Sequence, residues 1–480
     1  MFRAMSKVSK SFSPKRLHES ALAAFLLMVL TFPAVAQGEL RAPELGSVPA
    51  VTAMTINEAL QYAQGHQPEL RAARERFLTV SAEARIASAQ WLPSVGAAVE
   101  LVGSSVNNST ATGLAARYAE LPRIGGTAIQ PRPRWQPYAT TLAAASLRQE
   151  VFDFGRIAAQ EMADSALIAI ERNRLQAAHL DISLLVVQGY YAVRAAHAVA
   201  VAAAQAEERA KVHRDFADVA VKAGLRPPIE RTRAAADMAK YTVGRIRADG
   251  NIRIARSVFA AAVGYPSAEL DAADSQEPSV PTPTLAQVEQ RALANLPEVL
   301  QARDQRRAQH ARTAAIDATL RPNLYASASV SARAGGAPAN GGVVSEGRGF
   351  LPVVPNYDVG VVLSWPIYEP VVNAAVGASQ QREWAFEAEF TAAQQRARTS
   401  AQQAYGRMRV AESALEALAQ ETDAARSNYE QAEARFRAGL GTSTELADAE
   451  ALRLDAEVQQ AVGDFELATA RSQLKRVMGE

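Results

Sequence analysis

Residues 401–440 read AQQAYGRMRVAESALEALAQETDAARSNYEQAEARFRAGL. Ala401, Ala404, Met408, Ala411, Leu415, Leu418, Thr422, Ala425, Tyr429, Ala432 and Phe436 recur at alternating steps of three and four, which is a coiled-coil seam. Its alanines allow close helix approach. The seam lies inside a longer stretch, 371–438, that contains no proline and only two glycines, Gly377 and Gly406. That predicts a single helix of about 68 residues, roughly 100 Å long at about 1.5 Å per residue, far longer than a globular helix. It stops at Gly439, where glycine accepts a left-handed cap cheaply. Thr442-Ser443-Thr444 then restart a helix over about 443–478.

The same unit stands earlier in the chain. Ala223-Gly224-Leu225 matches Ala438-Gly439-Leu440, Ala255-Arg256-Ser257 matches Ala470-Arg471-Ser472, and Val263-Gly264 matches Met478-Gly479, all offset by 215. Further upstream, Gln67-Pro68-Glu69-Leu70 matches Leu296-Pro297-Glu298-Val299, and Pro93 matches Pro322, both offset by 229. One insertion of about 14 residues in copy one accounts for the difference, and a fixed-period repeat is a direct signature of architecture. Copy one therefore predicts a long helix over about 156–223, a turn at Gly224, a restart at Pro227-Pro228 and a return helix over about 229–263. The equivalent seam there is interrupted by Glu207 and Arg214, which favours use of a neighbouring stripe. The return helix and the segment between Pro68 and Pro93 together match the length of the long arm, so two short helices are expected to complete its partner.

The segments 94–155 and 323–370 have no helical period. Val359, Val361, Leu363, Trp365 and Ile367 alternate with Asp358, Gly360, Val362 and Ser364, and Val95, Ala97, Val99 and Leu101 do so more weakly. Two strands per copy are expected, joined by loops such as Asn107-Asn108-Ser109-Thr110 and Ala334-Gly335-Gly336-Ala337, with Gly341-Gly342 at a loop tip. The organisation is thus a first repeat over 55–265, a Pro-rich linker over 266–283 and a second repeat over 284–480.

The N-terminal 36 residues read as a leader. Arg3, Lys7, Lys10, Lys15 and Arg16 precede an apolar run from Ala21 to Phe32, and Ala34-Val35-Ala36 precedes Gln37. That is the pattern of a secretory signal peptide, followed by an N-terminal extension over 37–54. The run is short of the roughly 20 residues of a spanning helix. Without it the chain carries 46 basic and 49 acidic side chains, a balance that gives no basic field for nucleic acid. Cysteine is absent from the 480 residues, which excludes disulfides, thiolate metal sites, a Cys nucleophile and a lipid anchor on Cys. His18, His66, His179, His197, His213 and His310 have no ligand spacing. No nucleophile elbow, phosphate loop, metal site, cofactor site or other catalytic constellation is present, so the chain does not read as an enzyme.

Four strands of about 10 residues cannot close a useful barrel across a bilayer, and an open sheet would expose unpaired backbone to hydrocarbon. Three chains would supply twelve strands and, below them, twelve helical columns around a water-filled duct. The repeat, the Pro-Glu-Leu entry, the Leu-Pro strand start, Val151-Phe152-Asp153-Phe154-Gly155-Arg156 and the Ala-Gly-Leu turns resemble the TolC family of outer membrane efflux proteins over about residues 55–480.

The resemblance implies a mainly α fold with a β-barrel part. In it a duplicated strand-strand-long-hairpin unit forms a homotrimeric 12-strand barrel continuous with a 12-helix coiled-coil tunnel. It implies an outer membrane channel reaching into the periplasm and contacting outer membrane lipid. Such a channel is a passive duct of a tripartite efflux or type I secretion system. A periplasmic adaptor (membrane fusion protein) and an inner-membrane transporter of RND, ABC or MFS type complete that system.

Gly224-Leu225 and Gly439-Leu440 match the family's periplasmic tips, where adaptors dock. Glu445 and Asp448 match its acidic constriction, three apart and so on one helix face. Acids at a helix start are also favoured by the dipole alone, and both readings stand. Glu230 matches an acid that in some members pairs with an arginine two residues after the second glycine. Here that position is Gly441, leaving Arg231 or Arg233 as substitutes. Trp365 and Tyr368 suit either an interfacial belt or ordinary sheet packing. The alternatives to a duct are a periplasmic adaptor, which would carry one hairpin inserted in small β domains, and a structural envelope coiled coil, which would lack the duplicated strands.

Overall fold

The computed structural model describes residues 53–104, 138–267, 270–275, 283–335 and 354–480. The expected leader over 1–36, residues 37–52 of the expected extension, the Asn107–Thr110 loop and residues Gly336, Ala337, Gly341 and Gly342 lie outside them. Along the chain run β1 (Ala53–Met54), α1 (Ile56–His66), α2 (Pro68–Glu83), α3 (Arg85–Ala89), β2 (Ser94–Ser104), β3 (Tyr138–Phe152), α4 (Arg156–Lys222) and α5 (Pro228–Val263). Then follow β4 (Asp271–Ala272), α6 (Leu285–Asn295), α7 (Pro297–Ala318), β5 (Asn323–Gly335), β6 (Val354–Ser364), α8 (Pro370–Arg437) and α9 (Ser443–Met478).

The two long helices, α4 of 67 residues and α8 of 68, occupy the proline-poor stretches of the two copies. Each begins where a strand ends. At the start of α4 the Asp153 carboxylate accepts the N–H groups of Gly155 at 3.1 Å and Ile157 at 2.5 Å. Gly155, at φ +99°, makes the corner between strand and helix axis, a conformation that costs glycine little.

Each helical half of the chain is a four-column wall. Along the first halves of the long helices the order is α2, α4, α7, α8; along the second halves it is α5, α4, α9, α8. On α8 the seam faces inward: Ala401, Ala404, Met408, Ala411, Thr422, Tyr429 and Phe436 are buried and the other four positions half-buried. On α4 the expected change of stripe does not occur. Val186, Gly189, Val193, Ala200, Ala203, Ala210 and Ala217 of the seam are buried, and Ala202, Ala206 and Ala220 are buried beside them. The physical reason is that α4 has a neighbour on each side, α5 and α9, so it needs two apolar rows. Glu207 is tolerated at the margin by an ion pair with Arg245 at 2.5 Å. The same apolar richness gives α4 an 18-residue window long and apolar enough to cross a membrane by length and composition, a property not expected from the sequence.

Two closest approaches set the hairpin geometry. A Cβ on Gly189 would lie 3.0 Å from the Phe259 Cα, and one on Gly463 would lie 2.7 Å from the Leu418 Cδ1.

Two short helices, α1 and α6, precede each Pro-started segment. Both begin with a capping box, Thr55 with Glu58 and Thr284 with Gln287. They dock beside the hairpins, α1 on α4 and α5, α6 on α8 and α9. Within the stretch expected as a linker, residues 270–275 are strapped down. Leu270 is fully buried, β4 pairs in parallel with β1, Asp271 bonds His197 at 2.9 Å and also pairs with Arg256, and Tyr190 donates to the Ala273 carbonyl at 2.5 Å.

The four longer strands form one antiparallel sheet in the order β2-β3-β5-β6, leaving β2 and β6 as edges. Its register separates two faces. Val95, Leu147, Ala328 and Val359 lie in one cross-strand row, and Ala97, Ala145, Val330 and Tyr357 in another. With Val99, Leu101, Ala326, Val361 and Leu363 this face is mostly apolar, Thr141 and Gln149 being its polar members, and Val359 is 80% exposed. The reverse face carries Ser94, Arg148, Ser327 and Gly360 in one row and Gly96, Ser146, Ser329 and Asp358 in the next. Trp365, Ile367 and Tyr368, just beyond β6, are all exposed.

Gly189→Val is expected to destabilise the protein by about 1–3 kcal/mol, because the added carbons meet the backbone of α5 and force the helices apart. Gly65→Ala, in α1 where nothing lies within 4 Å of the added carbon, should stabilise by about 0.5–1 kcal/mol through helix propensity. Denaturant unfolding of the two variants side by side checks both signs.

Candidate functional site: the paired helical turns

The turns are built alike. α4 ends with Gly224 at φ +71° and α8 with Gly439 at φ +75°. The Leu225 N–H bonds the Ala220 carbonyl and the Leu440 N–H the Arg435 carbonyl, each at 2.9 Å, the Schellman closure. This geometry turns Leu225 and Leu440 outward, 79% and 76% exposed. At Gly441 the backbone folds back on α8, its N–H bonding the Arg435 carbonyl at 3.1 Å; a Cβ there would meet the Phe436 nitrogen at 3.1 Å. That crowding accounts for a side-chain-free residue at this position.

The candidate acids occupy different settings. Glu445 is exposed and completes the capping box of α9: Thr442 N–H donates to its carboxylate at 3.3 Å, and its own N–H donates to Thr442 Oγ1 at 3.2 Å. Asp448, one turn further along α9, lies on the same side of the helix. Glu230 faces inward between the two hairpins. One oxygen accepts from Ser443 at 3.0 Å, and the other pairs with Arg226 at 3.4 Å.

Neither of the expected substitute arginines reaches Glu230. Arg231 lies 3.9 Å from Asp218, and Arg233 donates to Thr444 at 2.7 Å. The partner is Arg226, two residues after the first glycine rather than the second. Arg226 and Gly441 are the same position in the two copies, so the arginine sits on the opposite hairpin. Its guanidinium also lies 4.1 Å from the centre of the Phe436 ring and bonds the Phe436 carbonyl at 3.4 Å. Phe436 is thus held from one side by a cation and from others by His213 at 4.8 Å and Phe216 at 5.6 Å. The equivalence of positions 226 and 441 was the sequence signal that could have found this arginine.

One layer further from the turns lies a buried polar cluster. Arg209 of α4 and Glu450 of α9 form a two-pronged ion pair, both bonds 2.8 Å. Tyr429 lies between Arg209 and Arg453, 5.5 and 5.1 Å from its ring. Glu457 joins Arg453 and Arg426, each at 3.2 Å. Burial pushes the Glu450 carboxyl above its ordinary value while Arg209 opposes that shift. Burial, then nearby carboxylates, pushes the Tyr241 and Tyr429 hydroxyls up to about 12. The pair joins the two copies across 241 residues of sequence, a separation no local pattern reveals.

The profile of the outer membrane efflux protein family matches the chain twice, over residues 59–265 and 288–480. Among solved structures, the outer-membrane channel OprN has 19% identity and a TM-score of 0.70, covering 88% of this chain and 89% of that one. The outer membrane protein VceC from Vibrio cholerae has 17% identity and a TM-score of 0.69 over 88% and 96%. The Campylobacter jejuni CmeC outer membrane channel has 14% identity and a TM-score of 0.70 over 88% and 85%. No curated protein matches the chain.

Removing one member of the buried pair, as in Arg209→Met or Glu450→Leu, is expected to cost about 3 kcal/mol or more by leaving the other charge unmatched. The double variant should recover most of that loss. A double-mutant cycle by denaturant unfolding reads the coupling; strictly additive losses would show that the pair does not act as a unit.

Proposed function

The chain belongs to the outer membrane efflux protein family and resides in the outer membrane with a periplasmic extension; on that premise we propose that three copies close into a passive export duct. The observation that carries this reading is the pair of raw edges. One side of the chain ends in β2, α2 and α5; the other ends in β6 and α8. Different edges that meet head to tail generate a ring when the rotation closes. Twelve strands then pair every edge, as hydrocarbon requires. The apolar face turns to lipid and the Ser-, Arg- and Asp-bearing face to the lumen, the alternation of a membrane barrel. Trp365 and Tyr368 fall at the end of the barrel, at the depth of an aromatic belt. The helical wall continues the lumen as a periplasmic tunnel of twelve columns.

The turns are the tunnel's movable end. Leu225 and Leu440, with Gly224 and Gly439 setting their projection, form the surface on which a periplasmic adaptor docks and through which an inner-membrane transporter is engaged. Glu445 and Asp448 repeat three times around the closed end as two rings of carboxylates, which attract cations and repel one another. Glu230 and Arg226 hold the two hairpins of one chain together at that end. The duct performs no bond chemistry; the transporter supplies both energy and selection.

The purified protein in detergent is expected to run as a stable trimer, with light scattering as the measurement; a stably folded single chain per particle would overturn the ring. In planar bilayers, Glu445→Ala with Asp448→Ala should raise ion leak through the closed end, and Arg226→Ala should do so independently. Unchanged conductance in the first variant would remove the acids from the gate, and in the second would remove the arginine.

A further inference from the structure

His213 stands on α4, one turn from Arg209 and packed on Phe436. Its Nδ1 is buried and has no hydrogen-bond partner among the described residues. Beside it is a cavity of about 30 Å³, lined by Arg209, His213, Asp237, Tyr241, Tyr429 and Glu450 among others, with room for a water molecule. All four helices of the tip contribute to this point. The equivalent position in copy two is Asn428, so each chain has one such group.

We infer that His213 is a proton sensor of the closed tip: neutral, it packs into the junction of the two hairpins; protonated, it weakens that junction. The inference rests on the reading of the turns as the movable end.

The charged surroundings come from every neighbouring element. Glu208 and Arg209 stand on α4 itself, and Arg437 joins them from α8. Asp237 and Glu230 lie on α5, and Arg226 in the turn before it. Glu433 and Tyr429 lie on α8, and Glu450 on α9. The acids favour the imidazolium, Asp237 most of all, while Glu450 is matched by Arg209, Glu230 by Arg226 and Ser443, and Glu433 by Arg437. Burial is the largest influence, Arg226 adds to it, and His213 is held below its ordinary value. A parted tip exposes the ring and restores that value, so the proton binds the parted form preferentially. The closed form is therefore unpenalised above about pH 6.5, the ordinary histidine value. It loses ground as pH falls through that value toward the lowered one. Neutral replacements of His213 separate its proton from those of the acidic rings and of Glu450.

The test is the conductance of the full-length protein in planar bilayers at pH 7.5 and 5.5. The native channel should rise by roughly threefold or more on acidification, since the parted form holds the proton more tightly and each bound proton biases the tip toward parting. His213→Gln and His213→Phe, two neutral replacements of different shape, should both remain flat at the native pH 7.5 level. His213→Arg should conduct at pH 7.5 as the native channel does at pH 5.5. A native channel that conducts without pH dependence, or neutral variants that keep the full rise, would overturn the sensor while leaving the duct intact. A protein that forms no channel at either pH would overturn the duct and the sensor with it.

Discussion

An unpaired strand edge has nowhere to go in hydrocarbon. Each exposed N–H and C=O would forgo its hydrogen bond at a cost of several kcal/mol, and the four-stranded sheet ends on two such edges, β2 and β6. Everything else in the chain is compatible with this constraint. Val95, Val99, Leu101, Val330, Val359 and Val361 share one face of the sheet, and Ser94, Arg148, Ser146, Ser329 and Asp358 share the other. The helical wall is open at the same two sides, which is why the proposed ring would close strands and columns together.

The second requirement is close approach over a great length. Helices of 67 and 68 residues cannot be held by a few bulky contacts. Alanine recurring along the seams, as at Ala401, Ala404, Ala411, Ala425 and Ala432 of α8, with Gly189 against Phe259 and Gly463 against Leu418, lets neighbouring columns run near one another. Where a charge enters the contact, it arrives with a partner, as Glu207 does with Arg245 and Arg209 with Glu450. Buried unpaired charges are among the costliest defects a packed interface can carry.

Much of this was legible in the residues. Proline spacing marked the helical stretches, Gly224 and Gly439 marked their reversals, and the period of two at Val359, Val361 and Leu363 marked β6. Two kinds of feature were harder to read. α1 and α6 are short, so their periodicity was weak, yet their Thr-x-x-Glu and Thr-x-x-Gln caps were in plain sight at Thr55 and Thr284. The tip contacts were hidden for a different reason. Arg226 reaches Phe436 and Glu230 only because two hairpins distant in sequence lie side by side. The turn acids were visible as types, but Glu445 as a cap and Glu230 as an inward-facing link are distinctions that only the packing makes.

The Arg209–Glu450 pair also has a direction. The position equivalent to Arg209 in copy two is Ala424, and the position equivalent to Glu450 in copy one is Ala235. Exchanging the copies would set alanine against alanine and leave no charge to match. The two halves have therefore diverged past interchangeability. The joint between the two copies within a chain thus carries a charged key, Arg209 on one side and Glu450 on the other, that its mirror arrangement would lack.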